Sequence, residues 1–218
     1  MNPMELFDWQ ALRAAPLNRD PYEHVIVNGF VKPQALARIN ADYPAIDDTG
    51  SFPIEALQFG LDFKAMVEAL ESEQFRHAFE EKFQVDLSGR PTTITVRGRC
   101  SGSDGQIHTD SVGKIITILI YLNRIWDDSG GRLRLLRAKN IEDVAAEVIP
   151  SSGNLVAFLR SDHSWHGHLP FSGERRVVQF NWVVNKHNQT IVLLRHRLSA
   201  SFKHLLRHAN PSRAKRQH

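Results

Sequence analysis

The chain has one cysteine, Cys100, among 218 residues. A lone thiol excludes an internal disulfide framework and any zinc site built on several cysteines. Long apolar runs are missing as well. The longest, "IITILIYL" at 115–122, is eight residues, far short of the ~20 that a membrane-spanning helix needs. Strong charge of one sign is also absent. Lys and Arg number 27 against 24 acidic residues, a net charge of +3, and most of the local excess lies in the C-terminal "FKHLLRHANPSRAKRQH". The body of the chain is therefore nearly neutral, and no nucleic-acid partner is expected. The opening "MNPMELFDWQALRAAP" has no basic segment followed by an apolar run, so a secretory signal is not expected. Together these absences lead to the expectation of a soluble cytoplasmic protein. No repeat or low-complexity segment is visible.

What is present suits one globular domain over 1–218, with 42% hydrophobic and 23% charged residues. Residues 1–91 read as a mostly helical support. Within them "HVIVNGF" (24–30) suggests a short strand closed by a turn, and "KPQALARINADYP" (32–44) a helix with Pro33 near its start. The stretch 62–83 suggests two helices broken around Glu71–Glu73, with Ser72 capping the second. From Thr92 to residue 185 the texture changes to short β-rich runs between turn residues: "TTITVRGR", "QIHTD", "KIITILIYLN", "RLRLL", "AAEVIP", "NLVAFL", "HGHLP" and "RRVVQFNWVVN". Eight such runs suggest a β-sandwich or jelly-roll barrel. A basic amphipathic helix, roughly Val192–His208, is expected in the C-terminal part, 186–218. The fold class is α+β.

"QIHTDS" sets His108 and Asp110 two residues apart, on one face if the segment is a strand. Alone the pair is weak, because 11 histidines and 24 acidic residues give roughly one His-x-Asp/Glu by chance. A third ligand is available in "SDHSWHGHLP", from His166 or His168. Two imidazoles and one carboxylate form the facial triad of non-haem Fe(II) oxygen chemistry, though zinc hydrolases use the same set. A basic residue placed for an anionic co-substrate separates these readings. Arg175 stands nine residues after His166, past the turn "FSGE", and a guanidinium grips a carboxylate through two parallel hydrogen bonds. On the last strand the odd set, Arg175, Val177, Gln179 and Asn181, is half polar and reads as a cavity lining. The even set, Arg176, Val178, Phe180 and Trp182, reads as a packed face. Arg175 is thus preferred, with Arg176 as the alternative if a bulge intervenes. The same alternation groups Thr117, Leu119 and Tyr121.

"HTD", "IYLNRIWDDSGGRLRLL", "SWHGHLPFSGERR" and "FNWV", in this order and spacing, resemble the double-stranded β-helix core of Fe(II)/2-oxoglutarate-dependent oxygenases. The branch is the one typified by prolyl 4-hydroxylases, including the hypoxia-factor enzymes, and the likeness covers about residues 92–185. The resemblance implies a jelly-roll, cupin-like barrel with N-terminal helices packed on it and a C-terminal helix. It implies Fe(II) on His108, Asp110 and His166, and 2-oxoglutarate held by Arg175 and Tyr121; strand-face reasoning adds Thr117 and Leu133 as candidates for the same pocket. It implies O2-dependent hydroxylation of a C–H bond with conversion of 2-oxoglutarate to succinate and CO2. No catalytic group beyond the iron site is then required.

Two departures fall on the substrate side. The family often has a tyrosine shortly before the first metal-binding histidine, where this chain has Arg97 and Arg99. A tryptophan common further along the arginine's strand is replaced by Asn181. A prolyl substrate is therefore not implied, and Arg97, Arg99, His168, Gln179 and Asn181 are candidates for contact with a small-molecule or protein side-chain substrate. The rival classes are a metal-binding cupin-type barrel without turnover and a zinc hydrolase on the same ligands. His163 and His77 read as ordinary surface histidines, Cys100 as a small buried side chain, and "WDDSGG" as a turn. The basic C-terminal helix is expected to pack on the barrel with a solvated face rather than lie on an anionic membrane.

Overall fold

The computed structural model describes residues 6–151 and 153–194. Its elements are α1 (Trp9–Ala14), β1 (His24–Val27), α2 (Pro33–Ala41), β2 (Phe52–Pro53), α3 (Leu61–Leu70), α4 (Glu73–Phe83), β3 (Thr92–Cys100), β4 (Lys114–Tyr121), β5 (Leu133–Leu136), β6 (Val144–Val148), β7 (Leu155–Leu159), β8 (His166–Gly167) and β9 (Gly173–Val183). Local chemistry accounts for the helix ends. Pro33, whose missing N–H costs nothing in a first turn, starts α2. The Ser72 hydroxyl accepts from the Phe75 N–H at 3.2 Å and caps α4.

The strands form two antiparallel sheets, a six-stranded one in the order β1-β7-β4-β9-β3-β2 and a three-stranded one in the order β6-β5-β8. One face of the larger sheet buries Ile94, Ile116, Ile118, Val178, Phe180 and Trp182 under the helices. Phe75 of α4 sits at the centre of that layer, with its ring 5.4 Å from Phe180 and 5.9 Å from Trp182. The other face meets the smaller sheet across a second apolar layer containing Tyr121, Leu133, Leu135, Val156, Phe158 and Val177. The order is helices, large sheet, small sheet, a mixed fold of helices and antiparallel sheet.

Three sequence expectations change. "QIHTD" is not a strand: it is a loop hydrogen-bonded to β8 through the bridge His108–His166, whose N–H···O bonds are 3.0 Å each way. The chain turns there because Ser101 and Asp104 close a tight turn and Gly105 takes φ +83°, a conformation suited to glycine. Second, residues 1–91 are more than a helical support, since β1 and β2 are the two edges of the large sheet. Third, β8 is only two residues long. The helix expected over Val192–His208 lies mostly outside the described residues, of which 186–194 are helical. Among the described residues no helix is long and apolar enough to cross a membrane.

Candidate active site

Alternation on paired strands sets the site. Thr117 faces Asn181, Leu119 faces Gln179 and Tyr121 faces Val177 across β4 and β9, so the odd residues of both strands turn toward the small sheet. Between the sheets lies a cavity of ≈ 130 Å³. His108, Asp110 and His166 meet at it, and one ligand atom from each lies within 4.8 Å of the others. Asp110 and His166 are buried and His108 is exposed.

Both imidazoles are oriented by the backbone. His108 Nδ1 lies 2.8 Å from the Gln106 carbonyl, and His166 Nδ1 lies 2.9 Å from the Ser164 carbonyl. A nitrogen facing a carbonyl must carry the proton, so each Nε2 keeps its lone pair for a metal. Burial lowers the His166 pKa to about 4 against the pull of Asp110, so the ring is neutral and able to ligate at neutral pH. Burial alone would raise the Asp110 pKa. The Lys114 ammonium, with smaller help from His166 and Thr117, overcomes it and holds the carboxyl well below the usual range. Asp110 accepts from Lys114 Nζ at 2.7 Å and from Thr117 Oγ1 at 2.5 Å. Behind them Asn181 Oδ1 lies 3.1 Å from Thr117 Oγ1, and its Nδ2 donates to Thr93 Oγ1 at 2.9 Å. This donor set fits a divalent cation with open coordination positions.

Arg175 enters the cavity from β9. Its Nε donates to the Gly131 carbonyl at 2.9 Å, and its guanidinium lies 5.2 Å from the centre of the Tyr121 ring. Among the described residues no carboxylate pairs with it, although it is only 5% exposed. The Tyr121 hydroxyl is buried with no hydrogen-bond partner, and burial raises its pKa against the opposing Arg175 charge. A buried guanidinium with no carboxylate partner among the described residues, beside the buried Tyr121 hydroxyl, fits the carboxylate of a small ligand. Arg176 points the other way: it bonds the Asn40 carbonyl at 3.2 Å, pairs with Glu174 at 3.1 Å and lies over Tyr43.

Of the other predicted residues, Leu133, His168 and Gln179 line the cavity, as does Arg97. Arg97 is committed to Asp104 at 2.9 Å and Ser51 at 3.2 Å, so it clamps the loop leading to His108. Arg99 is exposed and outside the cavity, and Asn181 is fully buried behind Thr117. His163 is exposed, and His77 lies on the surface of α4 beside Glu73 and Glu80. Sequence reasoning missed Lys114, Thr95, Ser51 and Asp104. Two signals were there. A lysine opening the apolar run "KIITILIYL", four residues after Asp110, needs an internal partner. Thr95 shares strand parity with Arg97.

The sequence profile of the family described as the 2OG-Fe(II) oxygenase superfamily matches residues 97–184. No curated protein sequence matches the chain significantly. Among solved structures, a prolyl-4-hydroxylase of Pseudomonas putida superposes with TM-score 0.57 at 19% identity, covering 81% of this chain and 97% of that one. A prolyl hydroxylase of Trichoplax adhaerens, solved with a hypoxia inducible factor peptide fragment, gives 0.53 at 14% identity, covering 87% and 91%. HygX of Streptomyces hygroscopicus, solved with nickel and 2-oxoglutarate, gives 0.54 at 11% identity, covering 76% and 83%. These likenesses are likenesses of fold. The segment 97–184, which carries the His-Asp-His cluster and Arg175, is thus similar in sequence to the 2OG-Fe(II) oxygenase superfamily.

Proposed function

We propose that this protein is a 2-oxoglutarate-dependent hydroxylase built as a single domain on a double-stranded β-helix. In this reading His108, Asp110 and His166 hold Fe(II), and Arg175 with Tyr121 holds the far carboxylate of 2-oxoglutarate beside Thr117 and Leu133. With iron, 2-oxoglutarate and O2 bound, the chemistry is hydroxylation of a C–H bond coupled to formation of succinate and CO2. The chain's part is preparation. Backbone carbonyls preset both imidazoles, Lys114 and Thr117 keep Asp110 ionised and oriented, and the two sheets shield the cavity from water.

The observation that carries this reading is one small cavity holding both a preset two-histidine, one-carboxylate cluster and a buried guanidinium with no carboxylate of its own. A zinc hydrolase or a non-catalytic barrel would need the cluster but not Arg175. The substrate end is lined by Ser51, His168 and Gln179, with no Phe, Tyr or Trp beside these three in the lining among the described residues. That polarity favours a small molecule or side chain bringing hydrogen-bonding groups over a prolyl ring.

Anaerobic calorimetry with Fe(II), then 2-oxoglutarate, tests the assignment. The wild type is expected to take one Fe(II), and His166→Ala to bind it at least tenfold more weakly. Arg175→Leu should keep the metal and lose 2-oxoglutarate. Wild-type protein that binds no Fe(II), or His166→Ala protein that binds it equally well, contradicts the proposal.

A further inference from the structure

The Thr95 side chain is 1% exposed, its Oγ1 has no hydrogen-bond partner, and it lines the same cavity as Arg175. It sits on β3 directly opposite Gln179 of β9. A buried hydroxyl without a partner is costly to keep, and a valine would fill the same strand position with better β-propensity and no such cost. The hydroxyl also has no local substitute. Asn181 is already engaged with Thr93 and Thr117, and Gln179 donates to Asn181 at 3.2 Å. Depth distinguishes which ligand would meet it. Thr95 and Arg175 are buried in this wall together with Thr117 and Val177, whereas Gln179 is half-buried and His108 is exposed at the opening. A cavity of ≈ 130 Å³ has room for one small molecule, and Thr95 and Arg175 both line it.

On these grounds, and resting on the reading above, we propose that Thr95 is a further binding residue for 2-oxoglutarate, donating a hydrogen bond to it from the floor of the cavity. Thr95 tunes co-substrate affinity, at the expense of the stability of the empty protein.

The test is calorimetric titration of 2-oxoglutarate into Mn(II)-loaded wild type, Thr95→Val and Thr95→Ser, with thermal melts of the three proteins without ligand. Thr95→Val is expected to weaken 2-oxoglutarate about three- to tenfold, the worth of one hydrogen bond. It should melt no lower than the wild type, because it removes an unpaired polar group. Thr95→Ser, which keeps the hydroxyl, should bind like the wild type. Thr95→Val binding as tightly as the wild type overturns the inference, as does weaker binding accompanied by a lower melting temperature, which marks a packing defect. A wild type that binds no 2-oxoglutarate at all instead overturns the functional reading itself.

Discussion

Asp110 has a counter-ion in place without any metal, and that shapes what single substitutions should do. The Asp110–Lys114 pair is 2.7 Å long with both side chains 7% exposed. Removing one partner of a buried pair strands the other charge, at about 3–5 kcal/mol. Lys114→Met should therefore lower the urea-unfolding free energy of the metal-free protein by roughly that amount. Saturating Mn(II) should recover part of the loss, because the cation then neutralises Asp110. A variant as stable as the wild type, or one no better with metal, contradicts this role. The histidines make a second case. Burial holds both His166 and His168 at about 4, below the ordinary 6.5. Between these values the unfolded chain binds more protons than the folded one, so the stability present above 6.5 is lost as pH falls toward 4. Melting temperatures of the metal-free protein should drop across that window, and His168→Gln should flatten the drop. Legibility was mixed at this scale. Of the three histidines of "SDHSWHGHLP", His166 lies in the cluster, His168 on the cavity wall and His163 outside. Thr95 was hidden because an unpaired hydroxyl is a tertiary fact, visible only once the neighbouring strands are placed.

At the level of elements, α4 ties the helical layer to the sheet that carries the site. Phe75 is fully buried and its ring lies among Phe7, Trp9, Phe79, Phe180 and Trp182. Phe75→Ala should cost about 3–5 kcal/mol, the range for emptying a large aromatic site. Ser72→Ala should cost about 1 kcal/mol through loss of the cap. Chemical denaturation of the two variants checks both, and a Ser72→Ala effect as large as that of Phe75→Ala would contradict the division between cap and core. Apolar periodicity and capping chemistry made α2, α3 and α4 readable in advance, and two-residue alternation sorted Arg175 from Arg176. The "QIHTD" segment misled because alternation was assumed where Gly105, against the His168 ring, bends the chain into a loop. Asp110 thus reaches the cluster from a loop held by the Arg160 bond to its carbonyl at 3.1 Å, not from strand parity. The short β2 had no signal, since two residues ending in proline do not make a pattern.

Across the whole molecule, three layers divide the labour. Helices stabilise one face of the large sheet, the small sheet covers the other, and the candidate site lies between the sheets, where odd residues of β3, β4 and β9 converge with β8. The layering and the cluster were foreshadowed by motif order. The role of the N-terminal part in the large sheet was not, because edge pairing of β1 and β2 depends on contacts distant in sequence. The central claim, a 2-oxoglutarate-dependent oxygenase centred on His108, Asp110, His166 and Arg175, is tested most directly by mass-spectrometric measurement of succinate formed from 2-oxoglutarate across pools of substrates. Succinate should form only when Fe(II) and O2 are both present, rise with an accepted substrate, and fall to the no-enzyme level in Asp110→Ala. Succinate formation that is absent from the wild type under every condition, or unchanged in Asp110→Ala, contradicts the claim.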